Sequence, residues 1–220
     1  MRDIFGPLLG GRLCLDFVNT GLGRNGAALT SYAALAAWAV HSRTLAPEDA
    51  RTLVATADRH PDDGDAVMAR ALSLRSALTR LCTTPVDTRP VMTPDLDVLN
   101  AELQVARSHE RLRPSERRTR RHVTDADVPR VEWQWDARGA VLDCVLWPVA
   151  VSAAELITSA DLERVGRCAA DSCGRLFLDT SRGRRRQWCE MATCGNADKV
   201  RRFRQKRRSG PPGTARHSLP

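Results

Sequence analysis

Four cysteines, Cys168, Cys173, Cys189 and Cys194, stand as two C-x4-C pairs separated by fifteen residues. Thiolate sulfur is a soft ligand, and Zn2+ takes four of them in a tetrahedron at about 2.3 Å each. Two short-range pairs on separate turns supply that set once a hairpin returns the second beside the first. Arg175–Asp179 reads as a strand, Ser181–Arg184 as a turn and Arg185–Trp188 as the return strand. Leu176 or Phe177, with Trp188, provides the little core such a module has. Two unrelated pairs in a basic tail, or a thiol redox switch, are the alternatives; the double spacing favours Zn2+. A unit this small depends on its metal to fold.

The segment after Cys194 carries a second kind of chemistry. Of the chain's 34 Lys and Arg, 14 lie between Arg164 and Arg208 against 4 Asp and Glu, so the net charge of +8 belongs to this end alone. Asn196 is a candidate N-cap and Asp198 suits the positive end of a helix dipole. Val200 and Phe203, three apart, put one apolar edge on the zinc core. Arg201, Arg204 and Arg208 then share one flank, and Lys199, Arg202 and Lys206 another. Such a surface fits phosphates or a major groove, with Arg201 and Arg204 as candidates for base edges. A solvated helix laced with ion pairs is the plainer reading, but few acids are present to pair with.

The run Cys194-Gly195-Asn196 followed by Lys199-Val200-Arg201-Arg202 resembles a CGNR-type zinc finger. Gly11-Arg12-Leu13-Cys14-Leu15-Asp16-Phe17-Val18-Asn19-Thr20 resembles the ABATE domain paired with it in bacterial stress-induced transcription regulators. The resemblance implies a DNA-binding regulator with Cys168, Cys173, Cys189 and Cys194 as zinc ligands. The chain departs from the pattern at Ala197, where the family name calls for Arg.

The elements that must position these residues read as one α+β domain, mostly helical with a small sheet, over residues 1–160. A zinc finger, hairpin then basic helix, follows over 161–208, and a Pro- and Gly-rich tail over 209–220 is expected to be disordered. Arg12–Val18 alternates Leu13, Leu15 and Phe17 and reads as a strand, with a loop over Asn19–Asn25. Thr30 caps a helix from Ser31 to Ser42, and Pro47 opens another ending near Arg59. Further helices span Asp65–Cys82, start at Pro94, and cover Val149–Ile157. Arg107–Arg121 reads as an Arg-rich loop. Val131–Trp135 and Val141–Trp147 read as two strands joined by the turn Asp136–Gly139.

No signal-like or membrane-length apolar run is present, so a reduced, cytoplasmic setting with no membrane partner is expected. There Cys14, Cys82 and Cys144 read as small core residues. No phosphate loop or nucleophile elbow suggests an enzyme. Asp16, Asn19 and Thr20, at the end of the apolar segment, either bind a small-molecule effector or cap a turn, capping being preferred. Double-stranded DNA is the expected macromolecular partner. Structured RNA, or an acidic protein recognised by the zinc module, is the alternative. A homodimer is a further option that the sequence leaves open.

Overall fold

The computed structural model describes residues 5–23, 29–83, 93–114, 131–136 and 141–208. The expected turn at 137–139, the segment 115–121 and the tail 209–220 lie outside them. In chain order the helices of the first part are α1 (Leu13–Asn19), α2 (Tyr32–His41), α3 (Pro47–Arg59), α4 (Pro61–Thr83) and α5 (Thr93–Ser108). Strands β1 (Glu110–Pro114) and β2 (Val131–Trp135), then helix α6 (Trp147–Ile157), complete it. The last part holds β3 (Val165–Arg167), β4 (Leu176–Leu178) and α7 (Asn196–Arg208). Both sheets are two-stranded and antiparallel: β1 with β2, and β3 with β4. No helix among the described residues is long and apolar enough to cross a membrane.

The helices follow their local signals. Pro47 opens α3 with Glu48 and Asp49 in its first turn, where fixed φ and acidic side chains suit the orphan amides. Ser31, rather than Thr30, caps α2: its Oγ accepts the Ala34 N–H at 3.2 Å. Along α4, Val67, Ala71, Leu74, Leu78 and Leu81 form the buried stripe. That stripe packs with Leu35 and Trp38 of α2 and Val149, Ala150 and Ala153 of α6 around one core.

Three local expectations are corrected. Arg12–Val18 is not a strand: Leu13–Asn19 forms α1. Cys14, Leu15, Phe17 and Val18 are all buried. That i, i+1, i+3, i+4 spacing is a helical face, and a short apolar run also satisfies alternation in part. Val141–Trp147 is not a strand either. Leu142–Val145 makes a 3-10 turn, and α6 starts at Trp147 with Pro148 in its first turn. Consequently β2 pairs not with that segment but with β1, Leu112 opposite Trp133. The Arg-rich stretch expected to be loop thus supplies a strand.

The two parts of the chain are joined through β4. Successive strand residues face opposite sides, and here Leu176 and Leu178 enter the helical core while Phe177 enters the zinc module. Leu178 N–H donates to Gly10 O at 2.8 Å. The Asn19 side chain clasps the Leu176 backbone at both ends, Nδ2 to O at 2.9 Å and Leu176 N to Oδ1 at 2.7 Å.

Candidate metal centre and basic helix

Cys168 follows β3 directly, and the chain folds back at once: Cys168 N–H donates to Arg175 O at 2.8 Å, and Cys173 N–H to Ala170 O at 2.9 Å. This tight knuckle presents the first two sulfurs on one side. The second pair is brought in by the loop after β4. Asp179 organises that loop, its two oxygens accepting Ser181 N–H at 2.8 Å and Arg186 N–H at 2.9 Å. Hydrogen bonds from Ser181 and Arg186 hold its carboxyl below the ordinary range. The expected return strand Arg185–Trp188 does not form a ladder: β3 takes one edge of β4, and Gly10 and the Asn19 side chain take the other. A single bond, Ala169 N–H to Gln187 O at 2.9 Å, docks the returning chain on the knuckle instead.

Arg186 then locks the junction from inside. Its guanidinium lies 4.3 Å from the Phe177 ring centroid and donates to Trp188 O at 3.0 Å, Leu178 O at 3.3 Å and Cys189 O. Cationic stacking with several carbonyl acceptors suits a planar fork. Nothing in the local sequence separates Arg186 from Arg184 and Arg185, so its structural role was not readable there.

All four sulfurs lie within 4.8 Å of one another. Cys173 Sγ is 3.6 Å from Cys189 Sγ, which is 3.7 Å from Cys194 Sγ. A tetrahedron of sulfurs about 2.3 Å from zinc has edges of about 3.8 Å, so the donor set fits Zn2+. Cys168, Cys173, Cys189 and Cys194 are the residues that could hold that ion together. Burial raises the Cys189 and Cys194 thiols, with their neighbouring sulfurs adding to the rise. Burial also opposes ionisation of Cys168, but the amides of Cys189 and Ala170 outweigh it and hold this thiol down. So close a group ionises fully only with a cation at its centre.

Cys194 sits in a π-helical turn, Met191–Gly195, that runs straight into α7. A Cβ at Gly195 would come within 2.3 Å of Met191 Sδ and 3.4 Å of the Trp188 ring, so a side chain there would have to push the exposed Met191 side chain aside. Asn196 is therefore not the expected N-cap. It is already helical, and its Nδ2 donates back to Ala192 O at 3.0 Å.

The rotation of α7 is also a correction. Val200 and Phe203 do not pack on the zinc core; they are 49% and 62% exposed. Asp198 takes the inner position at 4% exposure, pairing with Arg201 at 2.5 Å and Arg202 at 2.7 Å. Arg201 also pairs with Asp171 beside the knuckle. Two of the four acids of this segment, Asp171 and Asp198, thus meet at the inner side of the helix, and Arg201 turns toward them. Lys199, Val200, Arg202, Phe203 and Arg204 are exposed, with Lys206 and Arg208 in the last turns of α7. Ala197 is exposed as well, so an arginine there would stand in solvent.

In the helical part, Asp16, Asn19 and Thr20 each engage protein. Asp16 Oδ1 accepts Gly10 N–H at 2.7 Å, Asn19 clasps Leu176, and Thr20 Oγ1 donates to Phe17 O at 2.6 Å. Cys14 and Cys82 are buried, and Cys144 is half-buried.

Comparison with known families gives two matches. The model described as CGNR zinc finger covers residues 164–207. The ABATE model, described as "Putative stress-induced transcription regulator", covers residues 11–160. No curated protein matches the chain.

Proposed function

The chain belongs to the ABATE family and ends in a CGNR zinc finger, and from that premise we propose a zinc-dependent, DNA-binding transcription regulator with α7 lying against duplex DNA. In this reading residues 1–160 receive a signal and 161–208 hold the nucleic acid. The observation that carries it is the split of charge across α7. Asp171 and Asp198 engage Arg201 on the inner side. Lys199 and Arg204 stand exposed on the rest of the helix, and Arg202, though paired with Asp198, is two-thirds exposed beside them, where phosphates would neutralise the outer cations. Arg201 then anchors the helix, and Arg204 becomes the candidate for a base edge. Val200 and Phe203 fit thymine methyls or sugar.

A second reading is favoured by the exposure of Phe203. An outward aromatic ring amid cations is a stacking platform for an unpaired base, which suits single-stranded RNA. Fluorescence anisotropy with duplex DNA and a single-stranded RNA of matching sequence, both with zinc present, separates the two. Tighter duplex binding supports the DNA reading. Preference for the RNA, lost in Phe203→Ala, would replace it.

A further inference from the structure

On α4, Arg70 holds Glu102 and Asp143, and Arg80 holds Asp95. Arg75, between them, faces no carboxylate among the described residues. Its one described hydrogen bond runs from NH1 to Thr20 Oγ1 at 3.3 Å. The guanidinium is half-buried, and burial alone lowers its pKa from the ordinary arginine value. Among the described residues, five N–H donors in a fixed fork thus meet one hydroxyl partner.

Beside Arg75 opens a cavity of about 320 Å³, lined by Val18, Gly21 and Leu22 from the end of α1 and the loop after it, and by Ser76, Thr79 and Arg80 from α4, Arg80 being held by Asp95. The Ser76 and Thr79 hydroxyls donate to Leu72 O and Arg75 O, satisfying the helix rather than the cavity. Gly21 shapes the rest. A Cβ there would lie 3.0 Å from Arg75 Nε and 3.1 Å from Cζ, so bare backbone is what lets the guanidinium sit there. Val18 and Leu22 form its apolar side and Ser76 and Thr79 the other, with Arg75 as the lining cation that has no carboxylate partner among the described residues. A cavity of this size and lining has the usual form of a small-ligand site.

We infer that this cavity binds a small organic anion, its carboxylate forked on Arg75 and its short apolar body against Val18 and Leu22. Bidentate guanidinium–carboxylate pairing is the strong form of this contact. Thr20, which Arg75 touches, directly follows Asn19, so the occupant would sit at the root of the clasp on β4.

Melting of the full, zinc-loaded chain is followed in sodium hexanoate and in sodium phosphate, each against sodium chloride of equal ionic strength. Hexanoate raises the melting temperature saturably at millimolar concentration. Arg75→Gln weakens the apparent affinity by at least about tenfold. Thr79→Glu, one helical turn on from Arg75 and in the same cavity wall, offers Arg75 an internal carboxylate and abolishes the hexanoate shift while the variant still melts cooperatively in chloride. No saturable shift in the parent, a shift with phosphate alone, or equal shifts in parent and both variants overturns the site.

Discussion

The helical core from α1 to α6 is built around Trp38, Phe17, Leu74 and Leu78, all fully enclosed. The zinc module has Phe177, part of Trp188 and four sulfurs for the same purpose. The first buries enough apolar surface to fold on hydrophobic grounds; the second does not, and a metal held by its four sulfurs would supply what burial cannot. β4 stands in both, two leucines to one side and one phenylalanine to the other. The difference teaches that a module can depend on metal for its own fold and still be fixed in place by a neighbour that does not.

Removing zinc is the severest way to break this comparison. A chelator is expected to unfold the knuckle and α7 while α1 to α6 persist, because metal binding and folding are coupled only in the module. Thiol alkylation read by mass spectrometry makes the contrast residue-specific. After chelation Cys168, Cys173, Cys189 and Cys194 react at neutral pH, and Cys14, Cys82 and Cys144 stay protected. Labelling of Cys14 together with the module would mean that the two regions unfold as one.

The joint comes next in size. Asn19→Ala leaves the Leu176 N–H and C=O buried without their partner, at a cost of about 2–4 kcal/mol, and should speed zinc release as the module loosens. Asp16→Ala, losing one bond to Gly10, should cost about 1 kcal/mol. Equal melting of parent and Asn19→Ala would show that the clasp is not what holds β4.

Alkali should weaken the helical part specifically. Burial pushes the Cys14 thiol up to about 11 and the Cys144 thiol up to about 12. Both folded values lie above the ordinary thiol value of 9.0, so this stabilising difference is full below pH 9. It is lost as pH rises toward those folded values. Urea melts of the zinc-loaded chain should therefore weaken above pH 9, and the Cys14→Ala variant should weaken less steeply.

What the sequence disclosed follows the strength of each local signal. The cysteine set was legible because ligand chemistry fixes type and spacing together, and α3 to α5 because caps and long apolar stripes agree. Seven residues of α1 offered too few turns to separate a buried helix from an alternating strand. β1 was hidden because Arg111 and Leu112 are both exposed, leaving no buried face to pattern. The rotation of α7 was hidden for a different reason. Asp198 can complement a helix dipole or take the inner position itself, and only Asp171, brought near by the knuckle, decides between them.

The smallest expected effect on stability tests the central claim most directly. Lys199 is exposed on α7, so Lys199→Ala should change folding stability by no more than about 0.5 kcal/mol. If α7 lies against duplex DNA, log affinity falls steeply with log salt, each phosphate contact contributing about −0.9 to the slope. A salt titration of duplex binding, with zinc present, should give a steep line for the parent and one shallower by about one unit for Lys199→Ala, equally on all sequences. A flat line for the parent, or no duplex binding in low salt, would contradict the account.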